Sequence, residues 1–132
     1  MGKLTVCAKS DQLDTVLNFI ENGLLNLCAK KTNALILAAE EVFVNIVKYA
    51  YDGEDGEVTV SMSSEDTRTL IRFSDRGKPF NPLEEIEPPD VSASVKTKKM
   101  GGLGMYMVKN IADDVTYEYS EGQNILTIID LS

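Results

Sequence analysis

Glu57-Val-Thr-Val-Ser-Met-Ser63 and Arg68-Thr-Leu-Ile-Arg-Phe-Ser74, separated by a short polar turn over Ser63–Thr67, decide how this chain folds. The first run alternates Val58, Val60 and Met62 with polar neighbours. The second places Ile71 and Phe73 on one face and Leu70, Arg72 and Ser74 on the other. Period-two alternation is the mark of a strand with one face toward a core. Two such runs joined by so short a connection form an antiparallel hairpin, because a parallel pair needs a crossover of a dozen or more residues.

Upstream, the period changes. Lys3 to Ala8 alternates weakly and reads as an opening strand. Ser10 or Asp11 can cap a helix running to about Leu27, with Leu13, Val16, Leu17, Ile20, Leu24 and Leu27 at helical spacing. A second helix is predicted from about Thr32 to Tyr51, with Leu35, Ala38, Ala39, Val42, Ile46 and Ala50 as its buried stripe. Asp52-Gly53 and Asp55-Gly56 mark turns. Downstream, residues 75–101 lack strong periodicity and hold all four prolines. A connection of that length in a compact fold is functional or mobile. Gly104 to Ala112 reads as a third helix. Val115 to Tyr119 and Ile125 to Leu131 read as a closing hairpin turned near Glu121-Gly122. The order βααββ, long loop, αββ argues an α+β two-layer sandwich, with helices over one face of a mostly antiparallel, mixed sheet. With 132 residues and no linker or internal repeat, one domain over 1–132 is expected.

Composition narrows the chemistry. The chain is 43% hydrophobic and 26% charged, ordinary for a globular protein, and no apolar run approaches the roughly 20 residues that span a bilayer. No signal sequence is read after the opening Met-Gly-Lys, and Cys7 and Cys28 read as reduced thiols, so a cytoplasmic location without membrane contact is expected. Net charge is −8 with no histidine. That repels nucleic acid, and it excludes histidine-dependent nucleophilic catalysis and a histidine phospho-acceptor. Basic residues cluster only at Lys96, Lys98 and Lys99, a patch suited to one polyphosphate.

Three patches carry candidate chemistry. Glu41, Asn45 and Lys48 share one face of the second helix. An Asn oxygen can ligate Mg²⁺, and Glu41, one turn earlier, can take a proton near that metal. Glu40 lies about 100° away around the helix and is the poorer candidate. A solvated Glu–Lys face is the bland alternative. Asp75-Arg76-Gly77 ends a predicted strand, where a carboxylate can accept from an exocyclic amine and a glycine admits a planar base; an ordinary Asp-x-Gly turn is the alternative. Lys96-Thr-Lys-Lys-Met-Gly101-Gly-Leu-Gly104 enters a helix with unshielded backbone N–H groups and adjacent cations. Thr97, Lys98, Gly101, Gly102, Leu103 and Gly104 are therefore candidates for phosphate binding. A flexible glycine hinge is the alternative, since the spacing matches neither a P-loop nor a dinucleotide fingerprint.

Taken together, the three patches resemble the Bergerat-fold, or GHKL, ATPase superfamily over nearly the whole chain. Glu41-Val-Phe-Val-Asn45-Ile-Val-Lys48-Tyr49 resembles its N box. Asp75-Arg-Gly77 resembles the first glycine box and Gly101-Gly-Leu-Gly104 the second. Asp75-Arg-Gly-Lys-Pro-Phe-Asn-Pro82 is similar to the branch of bacterial anti-sigma-factor serine/threonine kinases. The resemblance implies Mg²⁺ on Asn45, Glu41 as general base, and Asp75 on the adenine amine with Gly77 beside the ring. It also implies an ATP lid at about 87–100, Gly102 and Gly104 on the phosphates, and Thr127 assisting adenine recognition. It further implies phosphorylation of a small STAS-type anti-sigma-factor antagonist, capture of a sigma factor, and homodimer formation. Pro79 stands where the family carries a second glycine. Residues 10–27 hold no Arg or Lys, and Thr15 falls near the place of the family's partner-binding arginine. A non-catalytic nucleotide-dependent switch and a detached histidine-kinase catalytic domain are the competing readings; the latter would lack its dimerisation helices.

Overall fold

A computed structural model describes residues 2–24, 27–65, 67–85 and 102–131. The elements are β1 (Lys3–Cys7), α1 (Leu13–Gly23), α2 (Ala29–Tyr49), β2 (Glu57–Glu65), β3 (Arg68–Asp75), α3 (Gly102–Ile111), β4 (Asp114–Ser120) and β5 (Gln123–Leu131). Short 3₁₀ turns occur at Ser10–Gln12 and Pro82–Glu85.

The central hairpin forms with Val58, Val60 and Met62 opposite Asp75, Phe73 and Ile71. From it the sheet grows in the order β1-β2-β3-β5-β4. All four pairings are antiparallel, so among the described residues the sheet has no parallel component. The predicted α+β sandwich is therefore observed, without the mixed character also expected.

One sheet face is buried by the helices. Val58, Val60, Ile71, Phe73, Leu126 and Ile128 meet Val16 and Ile20 of α1, Leu35, Ala38, Val42 and Phe43 of α2, and Met105 and Val108 of α3. Burying each large apolar side chain contributes about 1.5–3 kcal/mol relative to leaving it in water. The other face carries Thr59, Ser61, Arg72, Ser74, Thr116 and Glu118, all half-buried or exposed.

Helix boundaries differ from the periodic reading. α1 stops at Gly23, four residues before the predicted end at Leu27, and a side chain there would meet the Met62 sulfur at 2.4 Å. α2 starts at Ala29 rather than Thr32, because extended Cys28 leads straight in and its carbonyl accepts from the Thr32 N–H at 3.0 Å. Thr32 is thus interior to the helix.

Candidate functional site

The site grows from the C-terminal end of β3. Asp75 is its last residue, on the helix-covered face, opposite Val58 on β2 and Asn124 on β5. Its Oδ1 accepts from the Gly77 backbone N–H at 2.9 Å and from Asn124 Nδ2 at 2.9 Å. Both bonds land on one oxygen, which leaves Oδ2 to take a donor from an incoming group. Burial pushes the Asp75 carboxyl above the usual carboxylate range, and those two hydrogen bonds pull back against the shift.

Beside Asp75 opens a cleft between α2, β3, β5 and the segment after β3. Asn45 and Asp75 both line it, with Val42, Ile46, Phe73 and Leu126 as apolar walls and Tyr49, Phe80, Pro82 and Tyr117 around them. The Tyr49 and Phe80 rings sit 5.4 Å apart, tilted by 31°. An apolar slot with a few fixed polar groups suits a flat heteroaromatic ring. A carboxylate at its edge accepts from an exocyclic amine and repels a carbonyl oxygen in the same place.

Two glycines are explained by contact. A Cβ on Gly77 would lie 2.2 Å from the Ala50 carbonyl oxygen, so the chain passes flush against the end of α2. The Lys78 N–H donates to that same carbonyl at 3.0 Å. The glycine is thus required by helix packing, a different reason from the room for a base that the motif suggests. A Cβ on Gly104 would lie 2.3 Å from Glu41 Oε2. Glu41 of α2 and the first turn of α3 are therefore in contact, a meeting that neither motif alone specifies.

The remaining expected residues divide. Gly102 opens α3 and Leu103 follows in its first turn. Lys48 is exposed and is not among the residues lining the cleft. Thr97, Lys98, Gly101 and the expected lid at 87–100 lie outside the described residues.

Thr127 is corrected by the register. It pairs with Arg72 and Thr116, on the face turned away from the helices, while Asn124 and Leu126 pair on the covered face. A strand alternates sides at every residue, so Thr127 cannot reach a cleft lined by Asn124 and Leu126. Asn124 holds that place instead. Its Nδ2 also donates to the Lys78 carbonyl at 2.8 Å, and its Oδ1 accepts from the Phe80 N–H at 3.0 Å and from the Tyr117 hydroxyl. These partners fix the amide orientation, because Phe80 N–H needs an oxygen and Asp75 needs a donor. The local sequence does not mark Asn124, because β5 is apolar on both faces.

Tyr51 braces the same corner. Its hydroxyl donates to the Glu57 carbonyl at 2.5 Å and accepts from the Arg76 N–H at 2.9 Å. Burial holds the Tyr51 and Tyr117 phenols above their usual range, so both stay protonated donors.

Residues 6–129 match the histidine kinase-like ATPase domain. The chain belongs to that family. As a histidine kinase-like ATPase domain it has ATP as its ligand class. Serine-protein kinase RsbW of Listeria monocytogenes serovar 1/2a is 35% identical over 96 residues, covering 70% of this chain and 61% of that protein. Serine-protein kinase RsbW of Bacillus mycoides is 30% identical over 93 residues, covering 68% and 58%. The chain thus spans about three fifths of the relatives it matches. In fold it is similar to the crystal structure of the RsbU and RsbW domains of Rv1364c from Mycobacterium tuberculosis, with a TM-score of 0.64 and 14% identity over 99% of this chain and 32% of that one. The resemblance to the anti-sigma-factor kinase branch of the GHKL superfamily is upheld. No helix among the described residues is long and apolar enough to cross a membrane.

Proposed function

We propose that this chain is an ATP-dependent serine/threonine protein kinase of the anti-sigma-factor type, acting on a small STAS-type antagonist in a partner switch. The observation that carries the proposal is convergence. Asn45 and Asp75, 30 positions apart in sequence, line one cleft, and Glu41 touches Gly104 at its side.

In this reading residues 1–132 act as one ATP-binding unit, with a lid at about 87–100. Asp75 takes the adenine amine, and the apolar walls hold the ring. Among the described residues no group of three or more His, Cys, Asp or Glu stands ready to cage a cation. The buried Asn45 amide fits a Mg²⁺ shared with phosphates and water, the usual habit of this ion. Bound there, Mg²⁺ would offset negative charge on the phosphate oxygens. Gly101, Gly102, Leu103 and Gly104 offer backbone N–H groups to the phosphates, with Thr97 and Lys98 just before them in sequence and Lys48 one turn after Asn45 to assist. Glu41 takes the proton of the acceptor hydroxyl as the γ-phosphoryl departs. Positioning and electrostatics supply most of the acceleration in such transfers.

The relatives named as serine-protein kinases support this reading, and so does Glu41, since a mere binder has no need of a base there. A sigma factor as second partner, a homodimer and a cytoplasmic location belong to the same proposal. The test is transfer of label from γ-labelled ATP to a STAS-type antagonist from the native host. The proposal expects incorporation by the wild type and a loss of about a hundredfold or more in Glu41→Ala with ATP still bound. ATP binding without incorporation into any antagonist would instead establish a non-catalytic switch.

A further inference from the structure

We propose that Asn124 is the positioning residue that makes this cleft selective for purines bearing an exocyclic amine. The inference rests on the nucleotide reading above and deepens it.

One carboxamide holds several partners at this corner of the cleft. Asn124 is 6% exposed and sits on β5, an interior strand between β3 and β4. Its Nδ2 reaches Asp75 Oδ1 at 2.9 Å and the Lys78 carbonyl at 2.8 Å. Its Oδ1 takes the Phe80 N–H at 3.0 Å and the Tyr117 hydroxyl. One side chain therefore ties together the carboxylate that meets the base, the backbone of residues 78–80, and a tyrosine of the cleft wall. Each donor and acceptor of the amide is used, so the group has one orientation only.

The consequence for recognition is directional. Asp75 Oδ1 is occupied by Asn124 and Gly77, so its second oxygen is the one presented to the ring. Rotation of the carboxyl would cost the Asn124 bond inside a buried site, where lost hydrogen bonds are expensive. A base offering an N–H donor to that fixed oxygen is accepted. A base with hydrogen in its place leaves the buried carboxylate without a partner, and sites of this design discriminate strongly. Asn124 touches no ligand in this scheme and acts through Asp75.

The test compares two ligands that differ only in the amine: ATP and purine riboside 5′-triphosphate. Affinities for the full chain are measured by calorimetry in wild type, Asn124→Ala and Asn124→Leu. The leucine variant keeps the side chain's volume while removing its donor and acceptor atoms, so it guards against a cavity-driven folding failure of the alanine variant. The wild type is expected to favour ATP by about tenfold or more, and each variant to lose most of that ratio. A general loosening of the site would weaken both ligands by the same factor and leave the ratio intact, and that result would overturn the proposal. So would a variant that keeps the wild-type affinity for both. A wild type that binds neither triphosphate removes the nucleotide reading itself, and this inference falls with it. A wild type and variants that discriminate equally remove only the role of Asn124.

Discussion

Burial of Asp75 costs the fold stability once its carboxyl ionises. Its carboxyl is buried against two donors, and burial holds its folded pKa above the unfolded value. The sign follows from linkage: the folded state binds this proton more tightly than the unfolded chain does. The resulting stabilisation is complete below the unfolded pKa of about 3.9 and is lost as pH rises through the raised folded value. Asp75→Asn lacks this titration, and its single oxygen can accept from both Gly77 and Asn124. Melting curves of both proteins without ligand, from pH 4 upward, are expected to show the variant gaining on the wild type as pH rises, then a constant difference. A second contrast concerns two glycines. Gly77→Ala drives a Cβ to 2.2 Å from backbone oxygen, which cannot move away, and a loss of about 1–3 kcal/mol is expected in urea denaturation. Gly104→Ala meets only the tip of Glu41, a side chain that can swing aside. Its melting point is expected to hold or rise, because alanine favours a helix by about 1 kcal/mol over glycine. Under the proposed function its phosphotransfer rate is expected to fall by about tenfold or more, because the displaced carboxylate is the proposed base.

At the level of elements, what the sequence revealed depended on whether a strand has two different faces. β2 and β3 alternate clearly, so the hairpin and the place of Asp75 at its end were both legible. The apolar stripe of α2 was equally legible, and with it the shared face of Glu41 and Asn45. β5 reads Ile125-Leu-Thr-Ile-Ile129, apolar on both sides, so its phase cannot be taken from its own residues. Only pairing with β3 shows that Asn124, not Thr127, faces the cleft. The Glu41–Gly104 contact and the Ala50–Gly77 contact were hidden for a related reason: each joins segments distant in sequence, and no local period encodes such meetings. Thr127→Val supplies the check. Its hydroxyl lies on the far face, so ATP affinity by calorimetry is expected to stay within about twofold of wild type.

Considered whole, the molecule is a helix-backed antiparallel sheet whose cleft is assembled from α2, β3, β5 and the turn between β3 and Pro82. A ligand that fills this cleft bridges elements that unfolding would separate, so binding should raise stability by mass action. At 100 times its dissociation constant ATP is expected to add about 2.7 kcal/mol, a rise of roughly 10 °C in melting temperature for a chain of this size. GTP presents a carbonyl to the Asp75 carboxylate and is expected to give little shift. The central claim is that an adenine ring is held in this cleft by that carboxylate. The most direct measurement is a calorimetric titration of wild type and Asp75→Asn with ATP in the presence of Mg²⁺. Saturable binding by the wild type, weakened at least about tenfold in the variant, is the expected result; equal affinity in the two proteins, or no binding heat at millimolar ATP, would contradict it.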